Sequence, residues 1–337
     1  MRSMVCEKPG LLRLEQRPDP AFDAEEVLLR IRRVGVCGTD LHIFGGKQPY
    51  LSYPRVMGHE LAGTVVRAPA GSGLEEGDSA FVIPYVSCQR CNACRAGKTN
   101  CCRSIAVLGV HRDGGMSEFL SVPARLVRKA EGITLDQAAM VEFLAIGAHA
   151  ARRAAVAPGQ TALVVGAGPI GIATALFAAA DGARVAMLDG RRDRLAFAAA
   201  HLPVARTVLV GPDDERTLSN FTDGDFFDVV FDATGNPQAM ERGFGFVAHG
   251  GCYVLVSIVS GAISFSDPEF HKRETTLLGS RNATPEDFNT VMAAMRAGRI
   301  PTDALATHRM AFEEVPDRFA ELSDPARGVV KALIELP

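Results

Sequence analysis

Residues 161–180 read TALVVGAGPIGIATALFAAA, a stretch without a single charge. Its length alone would let it cross a bilayer. The interruption Gly166-Ala-Gly168-Pro169-Ile170-Gly171 argues against a span. A buried strand, a tight turn and a buried helix account for both the apolarity and the glycines. The glycines let the backbone turn sharply and approach a pyrophosphate, and the helix that follows offers free N–H groups and a positive dipole end to that anion. Asp189 closes the next apolar run, RVAMLD, 18 residues beyond Gly171. A carboxylate there accepts hydrogen bonds from ribose hydroxyls and repels a 2′-phosphate, so NAD is expected rather than NADP. Arg191 and Arg192 follow closely, and arginine is the residue type that recruits that phosphate.

The neighbouring sequence extends the pattern. TALVV, RVAMLD, RTVLV, FDVVFDATG, GCYVLVS and TTLLGS are short apolar runs, and the first five are separated mostly by helical patterns such as RDRLAFAAAHL. Strand alternating with helix predicts a doubly wound α/β unit whose six-stranded parallel sheet is covered on both faces. Residues before about 125 differ: EEVLLRIRRVGVCG and LAGTVVRAP alternate or run apolar between Gly-, Pro- and Asp-rich turns, which predicts a β-rich unit. The tail brings one more helix, PEDFNTVMAAMRAGRI, and a strand-like VVKALIEL. The expected division is 1–128 with 286–337 returning to it, and 129–285 as the dinucleotide-binding unit.

With 47% hydrophobic and 22% charged residues over 337 positions, the chain can bury a large core without disulfides. A formal charge of -3 gives no reason to expect nucleic acid or an anionic membrane as partner. MRSMVCEKPG has no apolar secretory core, so a cytoplasmic location is expected. There thiols stay reduced, and clustered cysteines more often bind metal than pair.

Residues 87–102, SCQRCNACRAGKTNCC, hold five of the eight cysteines. Cys88, Cys91 and Cys94 with either Cys101 or Cys102 make a four-thiolate set, and such a closed site leaves no position for substrate. A zinc ion and an iron–sulfur cluster both use such a set. A second set is dispersed: Cys37 in VGVCGTDLH, and His59 with Glu60 in VMGHELAG. Thiolate, imidazole and carboxylate together suit zinc with an open position.

CGTDLH, GHELAG, the cysteine cluster, GDSAFV, GAGPIG and FDATG occur here in the order seen in zinc-containing medium-chain alcohol and polyol dehydrogenases. The resemblance covers essentially the whole chain. It implies a GroES-like catalytic domain split around a Rossmann domain, NAD, and two zinc ions per chain, one catalytic and one structural. Cys37, His59, Glu60 and Glu142 match the catalytic zinc site, and Asp40 matches the carboxylate that orients the ligand histidine. Thr39 and His42 match a proton relay. The family pattern, with Gly97 and Asn100 in place, selects Cys102 as the fourth structural ligand. Where polyol-type relatives carry Glu-Pro-Leu, this chain has Glu142-Phe143-Leu144.

The implied reaction is oxidation of a secondary alcohol activated by zinc, with hydride passing to the nicotinamide. Arg194 is assigned to the cofactor site. Thr234 and Gly235 fall at the carboxyl edge of the sheet, where ligands bind, and Ser257, Ile258 and Val259 follow the next strand. YPRVMGHE, VLGVHRDGGMSEFL and LLGSRNATPEDF resemble a subgroup acting on sugar acids, typically L-galactonate or L-gulonate at carbon 5. Arg281, His111, Arg112 and Lys47 are the candidate partners for a substrate carboxylate. Threonine 3-dehydrogenase and simple polyol (sorbitol) dehydrogenase are the alternative activities. A zinc-independent quinone reductase or a non-catalytic protein is the alternative class, but those relatives lack the Cys and His ligands kept here. A homodimer or homotetramer is implied.

Overall fold

The computed structural model describes residues 1–48 and 51–337. Two compact units emerge: Met1–Glu142 with Thr284–Pro337, and Phe143–Ala283.

In the first unit a sheet of seven strands runs Val127–Lys129, Ser79–Val82, Glu60–Arg67, Glu26–Val36, Ala332–Glu335, His308–Ala311, with Phe119–Pro123 also pairing with Glu26–Val36. Glu26–Val36 organises it: alternation puts Val27, Leu29 and Ile31 completely inside, and a register shift between Ile31 and Arg33 brings Val34 inside as well. Two registers along this strand build the site described below. Gly35 stands opposite Glu60 on one side, and Ala332 stands opposite Val36 on the other. The C-terminal strand is thereby placed beside residues from the beginning of the chain. Smaller sheets pair Arg2–Lys8 with Leu11–Gln16 and Arg55–Val56, and Tyr85–Val86 with Ala106–Val107.

Residues 129–142 group with this first unit, beyond the boundary read from the sequence. The reason is local. Asp136, in the short helix Leu135–Ala138, takes Arg33 Nε at 2.6 Å and Arg309 Nη2 at 2.7 Å. The chain is thus clamped to two strands of the sheet before it leaves.

The second unit is a six-stranded parallel sheet ordered Arg206–Leu209, Arg184–Asp189, Thr161–Val165, Phe227–Asp232, Val247–Leu255, Thr276–Gly279. The winding reverses between Thr161–Val165 and Phe227–Asp232, the switch point at which doubly wound sheets bind ligands. All six strands arise from the six apolar runs seen in the sequence. The uncharged stretch 161–180 resolves into the strand Thr161–Val165 and the helix Pro169–Ala180. Among the described residues no helix is long and apolar enough to cross a membrane.

A candidate metal centre and a candidate dinucleotide site

Cys37 caps the helix Gly38–Phe44 at the end of the strand Glu26–Val36, and Glu60 opens the adjacent strand with His59 just before it. Antiparallel pairing brings these two strand ends together. Ligand atoms of Cys37, His59 and Glu60 all lie within 4.8 Å of one another. Gly35 makes the room: a Cβ on it would sit 2.1 Å from Glu60 Oε2. Asp40, fully buried, fastens the two segments. One of its oxygens accepts the Cys37 N–H at 2.9 Å and the other the Gly58 N–H at 3.2 Å.

The charges around this group favour a cation. Burial alone would push the His59 imidazole down, yet Asp40, Cys37 and Glu142 together hold its protonated form well above the ordinary histidine range. His59 Nδ1 is buried with no hydrogen-bond partner, and the Asp40 carboxylate lies 3.8 Å from it. A thiolate, an imidazole and a carboxylate converging in a negative field are the donors a zinc ion with an open position takes.

Two residues that sequence reasoning did not single out complete the centre. Lys331 Nζ contacts both Glu60 oxygens, at 2.6 and 2.7 Å, and donates to the Val36 carbonyl at 3.2 Å. Burial acts to lower the lysine, but Glu60 and Cys37 outweigh it and raise its pKa. The signal was a lone lysine in the apolar run VVKALIEL, which demands a buried partner. Tyr85 is the other. Its hydroxyl donates to Glu142 Oε1, and both side chains are buried. Burial is the main reason that both the Glu142 carboxyl and the Tyr85 phenol titrate above their usual ranges. Glu142 stands outside the Cys37–His59–Glu60 group. Thr39 is half-buried and His42 exposed, three residues apart on one face of the helix Gly38–Phe44.

The second cysteine set is Cys88, Cys91, Cys94 and Cys102, whose sulfurs also lie within 4.8 Å of one another. The exposed Cys101 is outside it. Cys91 and Cys94 sulfurs are 3.5 Å apart, far beyond the ~2.05 Å of a disulfide and close to the ~3.8 Å edge of a zinc–thiolate tetrahedron. Backbone N–H groups point at these sulfurs, among them Cys88 N–H at 3.2 Å from Cys102 Sγ. Such donors, at Cys94 and Arg103, pull the Cys91 thiol down to about 6.

In the second unit Gly166 (φ +99°) turns the chain and Gly168 caps the helix Pro169–Ala180. A Cβ on Gly171 would meet the Gly166 carbonyl oxygen at 1.7 Å, so only glycine fits that closely wound turn. Half-buried Pro169 and Ile170 form its first helical residues. Asp189 ends the strand Arg184–Asp189 and accepts the Ala167 and Arg191 N–H groups, each at 2.7 Å. Arg194 Nη1 is 3.8 Å from Asp189, beside the glycine turn. Asp232, which sequence reasoning passed over, is the fully buried hub of the opposite edge. It accepts the Thr234 N–H at 3.0 Å and the Ser257 hydroxyl at 2.8 Å, and Ser257 Oγ in turn accepts the Gly235 N–H at 2.9 Å. Ile258 is 78% exposed, and Val259 is half-buried. The candidate substrate cations Lys47, His111, Arg112 and Arg281 are exposed, and His111 Nδ1 accepts the Val107 N–H at 3.1 Å.

Residues 23–132 match the alcohol dehydrogenase GroES-like domain, and residues 169–297 match the zinc-binding dehydrogenase domain. The chain is 45% identical over 335 residues to L-galactonate-5-dehydrogenase of Escherichia coli K12, covering 99% of this chain and 98% of that one. The chain belongs to the zinc-binding medium-chain alcohol dehydrogenase family. Solved members of similar shape include an Escherichia coli oxidoreductase (TM-score 0.94, 26% identity, covering 100% of this chain and 99% of that one). Another is an Escherichia coli CFT073 alcohol dehydrogenase complexed with NADH (TM-score 0.92, 29% identity, 99% of both chains). Membership makes this protein an oxidoreductase acting on CH–OH groups, with a GroES-like unit and a Rossmann unit.

Proposed function

We propose that this dehydrogenase oxidises a secondary alcohol of a sugar acid, of the L-galactonate or L-gulonate type at carbon 5, with NAD as acceptor. The observation that carries the reading is the 45% identity to L-galactonate-5-dehydrogenase across the whole chain, with both metal-donor sets intact. Cys37, His59 and Glu60 would hold a catalytic zinc, and Cys88, Cys91, Cys94 and Cys102 a structural one. Zinc supplies Lewis acidity at the substrate hydroxyl, and NAD accepts the hydride from the carbinol carbon.

The chain's own residues do the rest. Asp40 ties the Cys37 and Gly58 backbones together, which fixes the spacing of the two ligand segments. Lys331 neutralises Glu60, so a metal here keeps more of its positive charge. Thr39, in the first turn of the helix that Cys37 caps, is the group to take the hydroxyl proton, and exposed His42 on the same helix face gives it an outlet to water. The glycine turn with Arg194 suits the pyrophosphate, Asp189 the adenosine ribose, and the segment built on Asp232 (Thr234, Gly235 and Ser257 to Val259) the nicotinamide end.

Purified protein assayed with NAD and NADP against sugar acids, polyols and L-threonine tests this. Oxidation of L-galactonate or L-gulonate with NAD is expected, and turnover confined to L-threonine or to simple polyols would overturn it. The polyol reading has its own support in the 31% and 30% identity to proteins named probable D-xylulose reductase A of Arthroderma otae and Neosartorya fischeri. A cytoplasmic homodimer or homotetramer completes the proposal. The Rossmann sheet ends in the strand Thr276–Gly279 with Leu277 exposed, an uncovered edge of the kind a second copy would cover. Light scattering at a dimer or tetramer mass supports that, and a monomer mass opposes it.

A further inference from the structure

The two carboxylates near the metal-donor group are held in different ways. Glu60 belongs to the group and has both oxygens against a buried ammonium. Glu142 is buried in the same unit and its charge is felt at His59, but its carboxylate is outside the group and bonded to the Tyr85 hydroxyl. Tyr85 has little freedom to swing. Its ring meets Phe288 edge-on at 6.2 Å, and Phe288 stacks on Phe81 at 6.0 Å. All three side chains are buried.

Charge makes this arrangement consequential. A divalent cation held by the Cys37 thiolate and the Glu60 carboxylate is formally neutralised, and Lys331 returns one positive charge to the neighbourhood. Adding the Glu142 carboxylate to the same ion would cancel that charge and fill the position a substrate hydroxyl needs. Resting on the zinc dehydrogenase reading above, we propose that Tyr85 is a positioning residue that draws Glu142 away from the Cys37–His59–Glu60 group and so keeps the catalytic metal open to substrate. Tyr85 therefore acts through Glu142, and its removal sets that carboxylate free to bind the metal.

The test uses the full-length protein with cobalt(II) replacing zinc. Its visible absorption reports coordination at the catalytic site against a constant four-thiolate background. Tyr85→Phe keeps the ring and its packing and deletes only the hydroxyl. The expected result is an altered cobalt spectrum, roughly tenfold slower loss of the catalytic metal to a chelator, and a kcat lowered roughly tenfold, the scale on which the hydrogen-bond partners of metal-site residues act. The double variant Tyr85→Phe/Glu142→Gln should recover the parental spectrum. An unchanged spectrum and unchanged metal loss in Tyr85→Phe would overturn the proposal, as would a change that persists in the double variant. These spectra are read without substrate, so they judge Tyr85 whichever alcohol the enzyme takes. One cobalt per parental chain, confined to the four cysteines, would overturn the zinc reading and this proposal together.

Discussion

Lys331 and Glu60 lie 271 residues apart in the chain, yet the lysine Nζ touches both carboxylate oxygens in a site closed to water. Removing one partner of a buried pair leaves the other charge uncompensated. Lys331→Met should therefore cost about 3–5 kcal/mol in the metal-free protein. Zinc would take over part of the neutralisation of Glu60, so the loss should shrink when zinc is present. Urea unfolding of variant and parent, each with chelator and with zinc, measures both. Equal losses in the two conditions would mean that Glu60 and the metal do not share charge.

Asp40 accepts two backbone N–H groups and faces His59. Asp40→Asn cannot accept with both side-chain atoms, so the two ligand segments lose part of their tie. The expected effect is a roughly 10–100-fold weaker catalytic zinc, with the structural zinc retained. Competition with a fluorescent zinc chelator reads it, and unaltered affinity at both sites would contradict the role given to Asp40.

The four-cysteine set predicts a split between neighbours. Cys101→Ser should keep its metal, whereas Cys102→Ser should lose the structural zinc and much stability. The pH dependence follows from the same thiols. Zinc needs them deprotonated, and backbone donors depress Cys91 to about 6. Protons compete with the ion for these thiolates, so stabilisation by this site is lost on acidification, and the lowered Cys91 thiol resists that competition. Metal release during acid titration checks the direction, and release on raising the pH would contradict it.

In the Rossmann unit, Asp214 accepts the Gly211 N–H at 3.0 Å and Arg242 Nη1 at 2.7 Å. The Arg242 hydrogen bond is the main reason its carboxyl titrates below the usual range, against the opposing pull of burial. A depressed native pKa contributes stability that is present above the unfolded value of about 3.9 and fades as pH falls through the native one. Since Arg242 is 38% exposed, solvent screens the pair, and Asp214→Asn should cost only about 1–2 kcal/mol at neutral pH. Denaturant curves from neutral to acid pH should show the difference closing on acidification. A difference that widens in acid would contradict the assignment.

What the sequence disclosed divides along physical lines. The parallel sheet, its glycine turn and Asp189 were legible because periodicity and the steric demands of glycine are local properties. Both metal-donor sets were legible because sulfur and imidazole stand out at characteristic spacings. The supports were not. Tyr85 meets Glu142 across 57 residues, and Lys331 meets Glu60 only because the last strand pairs with Glu26–Val36. Long-range register leaves no trace in a local window. Asp232 offered a fainter clue, an acid at the end of the strand Phe227–Asp232, but its part as a hub depends on the separate turn that carries Ser257.

The most direct test of the account measures zinc content and NAD reduction together, in the parent and in Cys37→Ala. Two zinc ions per parental chain, with turnover of a sugar acid, are expected. The variant should keep its fold and one zinc, in the four-cysteine site, and lose turnover. Full activity in Cys37→Ala, or a single zinc in an active parent, would contradict the account.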